Sequence, residues 1–531
     1  MKKVLTKVAC LLTALALVGC GAANGTPATT ESNTAVESAG NVNVDREQVE
    51  GEKYKETIIF AAPNDLPSNA PYGNSNTQTA IVTNCTFNRL VKITAENTVI
   101  PDLATSWEAN DDSTVWTFHL RDDVTFHNGE KLTAADVKFT FEYAATNENE
   151  GINYPITGGK KIESIETPDD YTVVFNLKET CADWEYYAAQ KIMSEKAIAD
   201  LGIEEGGKIG TGPYVFTSYE PGVSWTIDRN ENYFGEAPVT KTITFKLISD
   251  SNARTLAVES GDVDGVLDPA EADIVKYLDN PEYNVYSAKN VANVFCGFNY
   301  AREVGSNDNI RKAVAMAINR DDIVTVCYEG GRLGTPIFNF INSVAPGYVE
   351  VEAPQYDLEG AKELLKAEGY DENNHLKIRL ISAAKFLSIA EIIQANLAMA
   401  NIDVTVEEFS DSGYSSHLRE DGKYDMYMQQ SSSTGGLLNM VERFIVTGGP
   451  SNVMNFTNAE LDEMVAKAAS SKNMEEMQEN YAEVQQKIAD LIPCVPIAER
   501  YIWCLGTKNL YGVDLNNQQY YVDLSGSYVV E

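Results

Sequence analysis

Apolar and polar residues alternate with a period of two along residues 113–120, where Trp116, Phe118 and Leu120 face one way and Val115, Thr117 and His119 the other. That spacing predicts a half-buried β-strand. Another extended piece starts at residues 124–126 and ends at Asn128-Gly129, a tight-turn signal. Thr133 then opens a helix, with Asp136 three residues on giving a capping-box-like start. Further along, 376–382 (LKIRLIS) reads as a strand and 388–400 (SIAEIIQANLAMA) as a helix with Ile389, Ile392, Ile393 and Leu397 on one face. Strands follow at 402–409 (IDVTVEEF) and 424–428 (YDMYM). This alternation predicts an α/β architecture, a parallel sheet between helices with a ligand crevice at strand C-terminal ends. Helices near 458–470 and 474–491 lead into LIPCVPIAER, whose two prolines imply an extended crossing segment.

The N-terminus has a different pattern. Lys2, Lys3 and Lys7 surround the start of an eleven-residue apolar run, VACLLTALALV at 8–18. Spanning a bilayer takes roughly 20 residues, so 1–19 reads as a secretion signal and not an anchor helix. Leu17-Val18-Gly19-Cys20 resembles a bacterial lipobox, which implies a lipid on Cys20; ordinary secretion with cleavage after a small residue is the alternative. The lipidated cysteine would hold a soluble body at the membrane surface. Residues 20–53, rich in Gly, Ala, Ser, Thr, Asn and Glu, are expected to be a flexible tether.

A length of 531 residues predicts two or three cores, and 44% hydrophobic with 22% charged residues predicts a folded soluble body. The net charge is −37; losing residues 1–19 removes three of the 41 cationic residues and none of the 78 acids, leaving −40. Nucleic acid and anionic lipid are therefore not expected partners. Chemistry is sparse. His119 lies on a strand and His127 before a turn, without a helical i, i+4 partner or a nearby cysteine, so both are expected to be scaffold and not metal ligands. Cys85, Cys181, Cys296, Cys327, Cys494 and Cys504 form no C-x-x-C pair. Buried free thiols are expected, with a Cys494–Cys504 disulfide left open. No nucleophile elbow, Cys/His pairing or P-loop occurs, so neither an enzyme nor a cofactor is expected.

The ordered segments carry a resemblance. PDLATSWEANDDSTVWTFHLRDDVTFHNGEKLTAADVKFTFE (101–142) resembles the signature of family 5 extracellular solute-binding proteins, the peptide, nickel and oligosaccharide class serving ABC importers. IGTGPYVFTSYEPGVSWTIDRNENYFG (209–235), ESGDVDGV (259–266), GFNYAREVGSNDNIRKAVAMAINRDDIV (297–324), YDLEGAKELLKAEGY (356–370) and IIQANLAMANIDVTVEEF (392–409) match later family segments in order. The resemblance runs from about residue 55 to 525. The resemblance implies a two-lobe periplasmic-binding-protein-like fold, type II, of the large peptide-binding class. Lobe I would take 54–290 and 495–531, with an extra subdomain at about 86–208, and lobe II 291–494. Crossings near 288–294 and 492–498 would form a hinge.

The same resemblance places three segments at the cleft. PNDLPSNAPYGNSN (63–76) offers Asn64, Asp65 and Tyr72, or is a polar surface loop. CADWEYYAAQ (181–190) offers Trp184, Tyr186 and Tyr187 as aromatic walls, or as ordinary core. MQQSSSTGGLLNM (428–440) offers the neutral run Gln429, Gln430, Ser431, Ser432, Ser433 and Thr434. Peptide-binding relatives commonly carry a tryptophan and then an aspartate here; Gln430 or Ser431 stands in the tryptophan's place and the next acid is Glu442. Classical capture of a peptide ammonium then needs Asp65 or Glu442 as a substitute. Neutral amides and hydroxyls also suit sugars or other polar solutes. Arg443 faces a ligand carboxylate or solvent. Only His375 and His417 lie in the expected lobe II, so direct nickel ligation is not expected, while a chelated metal stays open. The implied function is a lipid-anchored, monomeric receptor that hands a solute, by default an oligopeptide, to an ABC permease. The alternatives are a sensor on the same fold and an extracytoplasmic hydrolase.

Overall fold

The computed structural model describes residues 46–49, 51–72, 76–146, 159–420, 422–432, 436–516 and 521–531. The expected signal segment 1–19, Cys20, most of the 20–53 tether and Ser433 lie outside the described residues. Strand β1 (Thr57–Ala62) is buried at four of its six positions, as its apolar run dictates. Strands β2 (Ala104–Ala109), β3 (Val115–Leu120), β4 (Ile162–Asp169) and β5 (Thr172–Leu177) make a separate antiparallel sheet in the order β2-β3-β5-β4. In β3 the buried positions are Trp116, Phe118 and Leu120, the face set by the period-two pattern.

Helix α1 (Ala134–Thr146) covers that sheet, and α2 (Trp184–Ala188) follows it. The Asp136 carboxylate accepts from Thr133 N–H at 2.9 Å, half of the expected capping box. Phe141, Phe175, Phe118 and Trp184 form the core beneath; the Phe141 and Phe175 rings meet edge-on at 4.8 Å. Such pairs contribute about 0.5–1.5 kcal/mol beyond area burial. His127 fastens this unit to the next strand. Its Nδ1 accepts from Gly210 N–H at 3.2 Å and its Nε2 donates to the Gly212 carbonyl at 3.1 Å. Burial pushes its pKa down to about 4, so the ring is a neutral clamp.

The main sheet continues through β6 (Tyr214–Glu220), β7 (Ser224–Arg229), β8 (Thr242–Leu247), β9 (Gly265–Leu267), β10 (Tyr283–Phe298), β11 (Gly334–Pro336), β12 (Leu376–Ala383), β13 (Ile402–Phe409), β14 (Met426–Ser432) and β15 (Cys494–Thr507). Its eleven strands run β13-β12-β14-β10-β15-β9-β1-β8-β7-β6, with β11 pairing to β15 off this path. Helix α3 (Leu387–Met399) joins the parallel pair β12 and β13, burying Ile389, Ile393 and Leu397 at helical spacing. Helices α4 (Asn439–Phe444), α5 (Ala459–Ala469) and α6 (Met474–Leu491) then lead to β15, the extended segment that carries Pro496.

Two strands are unusually long, β10 with 16 residues and β15 with 14. Residues 283–289 of β10 pair with 501–507 of β15 and 293–297 with 494–499, while 292–298 also pair with β14 on the opposite edge. Between Lys289 and Asn293 the register against β15 slips. Both strands are thus shared by a first half of the sheet, β1 and β6–β9, and a second half, β12–β14. All six described cysteines are free. Cys494 and Cys504 lie on one strand about 30 Å apart, beyond disulfide reach. Among the described residues no helix is long and apolar enough to cross a membrane.

Candidate functional site

Where the long strands pass between halves, polar side chains gather in one row. Thr335 on β11 stands opposite Glu499 on β15, Glu499 opposite Asn293 on β10, and Asn293 opposite Ser431 on β14. Residues directly opposite across a ladder share a face, so the sequence brings these four together despite their separation. The Glu499 side chain is only 2% exposed, yet it is well supplied with donors. Lys289 Nζ reaches it at 2.7 Å, Ser343 Oγ at 2.7 Å, Ser343 N–H at 3.1 Å and Thr335 Oγ1 at 3.3 Å. Ser431 Oγ donates to the Asn293 amide oxygen, and the Asn293 amide donates to the Phe340 carbonyl, which ties β14 to β10 beside this cluster. A buried carboxylate is tolerated only with partners of this kind.

Away from this crossing, the unit of the four-stranded sheet meets segments that follow β14, β11 and α5. Asp183 Oδ2 accepts from the Leu437 main-chain N–H at 2.7 Å, across 254 positions of sequence. Its Oδ1 accepts from the Cys181 thiol at 3.2 Å. Gly436 sits against Tyr187, so close that a methyl group there would lie 2.3 Å from both Asp183 Oδ2 and the Tyr187 ring. Two further contacts from this unit reach distant main-chain carbonyls: Ser113 Oγ to Lys472 at 2.7 Å and Asn97 Nδ2 to Val344 at 3.1 Å. Around Asp183 the electrostatics are coupled. Burial opposes the Lys161 charge, but Cys181, Glu442, Asp183 and Glu179 outweigh it and raise its pKa. Burial likewise raises the Glu442 carboxyl, with Lys161 opposing.

The expected ligand residues are distributed unevenly. Asn64 is exposed. Asp65 belongs to a turn of its own half, accepting from Gly222 N–H at 2.9 Å and Tyr219 hydroxyl at 3.1 Å. Tyr72 donates to the Lys191 carbonyl at 2.9 Å and packs with Phe87 and Met193. Trp184 is fully buried core, stacked on Tyr187, whereas Tyr187 itself reaches the far half at Gly436. Gln429 and Gln430 are half-buried on β14 opposite Phe295 and Val294. Gln429 Oε1 has no partner among the described residues, while Ser431 is engaged by Asn293. Ser432 pairs with Ala292 through its backbone; its side chain lies outside the described residues. Arg443 lies over the Phe444 ring at 5.3 Å. The structure therefore joins the second and third expected segments and leaves the first within its own half.

Sequence reasoning passed over Asp183, Gly436, Lys289, Asn293, Ser343 and Glu499. Asp183 lies within 181–190, but no spacing ties it to position 437. Among the described residues no group of three or more His, Cys, Asp or Glu side chains is placed to hold a metal.

Comparison with known proteins agrees with this geometry. The chain is 26% identical over 447 residues to heme-binding protein A of Haemophilus influenzae, covering 78% of this chain and 81% of that one. It is 26% identical over 463 residues to di/tripeptide-binding protein 1 of Pseudomonas aeruginosa, covering 78% and 84%. The fold superposes on the ABC transporter substrate-binding protein CtaP of Listeria monocytogenes with a TM-score of 0.81 at 23% identity, covering 90% of this chain and all of that one. A family model matches residues 98–440, more than half of the chain. The chain belongs to the bacterial extracellular solute-binding proteins, family 5.

Proposed function

We propose that this two-lobed protein captures a short peptide and passes it unaltered to the permease of an ABC importer. The observation that carries this reading is the position of β14: the half-buried, uncharged Gln429 and Gln430 lie on the strand that adjoins the crossing, just before the 436–437 contact with the opposite lobe. Amide side chains there complement main-chain amides of an extended guest. Asp65 is engaged by its own turn, and Glu442 lies beside Lys161. Neither is a free counter-charge for a peptide ammonium, so recognition through main-chain amides is the better fit. Peptide relatives such as the Pseudomonas protein support this class.

Lobe I takes 54–290 and 495–531, with 86–208 as its subdomain, and lobe II takes 291–494. The register slip between Lys289 and Asn293 supports a hinge there. Work outside the cytoplasm follows from the family; a lipid on Cys20 tethers the monomeric body, and Cys20→Ala would release it from the membrane fraction. Binding proceeds without turnover.

Native mass spectrometry of the protein purified from cells tests the ligand class. Bound di- to tetrapeptides, released on unfolding and raising the melting temperature when added back, are the expected result. A second reading, a polar solute or metal chelate, is favoured by the heme-binding relative. It replaces the first if no peptide is recovered and hemin or an oligosaccharide stabilises the protein instead.

A further inference from the structure

We infer that Asp183 is a closure latch, a positioning residue that joins the lobes directly and so scales affinity equally for every guest. This rests on the two-lobe capture reading but not on the ligand's identity. Asp183 is 2% exposed, and its carboxylate reaches across the lobes to a main-chain N–H, the Leu437 donor at 2.7 Å. Charge-assisted bonds of this kind are roughly twice as strong as neutral ones. The second observation is Gly436. A side chain there would enter the space that Asp183 Oδ2 and the Tyr187 ring occupy, so the two segments fit this closely only without a Cβ. The Ser113 and Asn97 contacts repeat the theme, since both reach main-chain atoms of lobe II. All three bridges are protein to protein.

Contacts that exist only when the lobes meet raise the closed population, and apparent affinity falls in proportion to the fraction that is binding-competent. Leu437 N–H also offers a ligand-independent reporter. In the intact protein without added ligand, Asp183→Ala is expected to speed hydrogen exchange across 436–442 by about tenfold and to enlarge the small-angle scattering radius. Exchange in the strand Thr172–Leu177, beneath Asp183 in its own lobe, should not change. Asp183→Asn, which keeps an acceptor oxygen, should restore most of the protection. If Asp183→Ala does not fold, Gly436→Ala carries the test, because it keeps the carboxylate and obstructs the fit.

Unchanged exchange at 436–442 in both variants, or an unchanged scattering radius, overturns the latch. A variant that opens the lobes while no peptide is ever found bound leaves the latch standing and removes only the peptide reading.

Discussion

Glu499 and Asp183 are equally buried carboxylates, each about 2% exposed, and on the proposed lobe boundaries both stand where the two lobes touch. Their surroundings differ. Glu499 accepts from four donor groups of Lys289, Ser343 and Thr335 at the strand crossing. Among the described residues Asp183 has one donor from across the contact, the Leu437 main-chain N–H, and one thiol from its own side. Burial alone does not distinguish a permanent joint from a breakable one. The number of partners, and whether covalent chain already links them, does: a many-membered network is costly to undo, whereas a single bond to the main chain can open and re-form with water as its substitute.

The largest effect should come from breaking the permanent joint. Glu499→Ala leaves the Lys289 ammonium without its buried partner, and since Lys289 is 37% exposed the loss should be about 2–4 kcal/mol of folding stability, read by urea denaturation. Stability lost there should exceed that of Asp183→Ala. An equal loss would erase the distinction.

The next effect concerns His127, another fixed clamp. Its folded pKa, near 4, lies below the unfolded value near 6.5, so the unfolded state binds more protons between these pH values. Stability is fully present above about pH 6.5 and falls as pH drops toward 4, by about 3 kcal/mol in all. His127→Gln should flatten that limb in thermal melts across the range. An unaltered acid limb would mean that other groups set it.

Asp65→Ala removes a turn anchor within lobe I and should lower stability by about 1–2 kcal/mol without changing ligand affinity. A loss of affinity would return the 63–76 loop to the cleft. The smallest expected effect is Gln430→Ala, about 1 kcal/mol of binding measured by calorimetry with the fold intact.

Much of the fold was legible because it follows from local periodicity. The alternation Trp116, Phe118, Leu120 gave β3, and the Ile389, Ile393, Leu397 stripe gave α3 between two parallel strands. His127 was expected to be scaffold, but the two glycine contacts 83 and 85 positions away that make it a clamp were not readable. The site was less legible for the same cause. Asp183 and Leu437, or Glu499 and Ser343, are joined only by tertiary folding, and neither pair leaves a spacing signal. The loop at 63–72 has the composition of a binding loop, yet Asp65 and Tyr72 bond within lobe I, because polar residues at a strand end serve turns as readily as guests.

The most direct test of capture between lobes is a small-angle scattering titration of the intact protein with a mixed di- and tripeptide library. Lobes that shut around a guest require the radius of gyration to fall and saturate, with the peptides recovered whole. A radius indifferent to every peptide added, or peptides recovered cleaved, would contradict it.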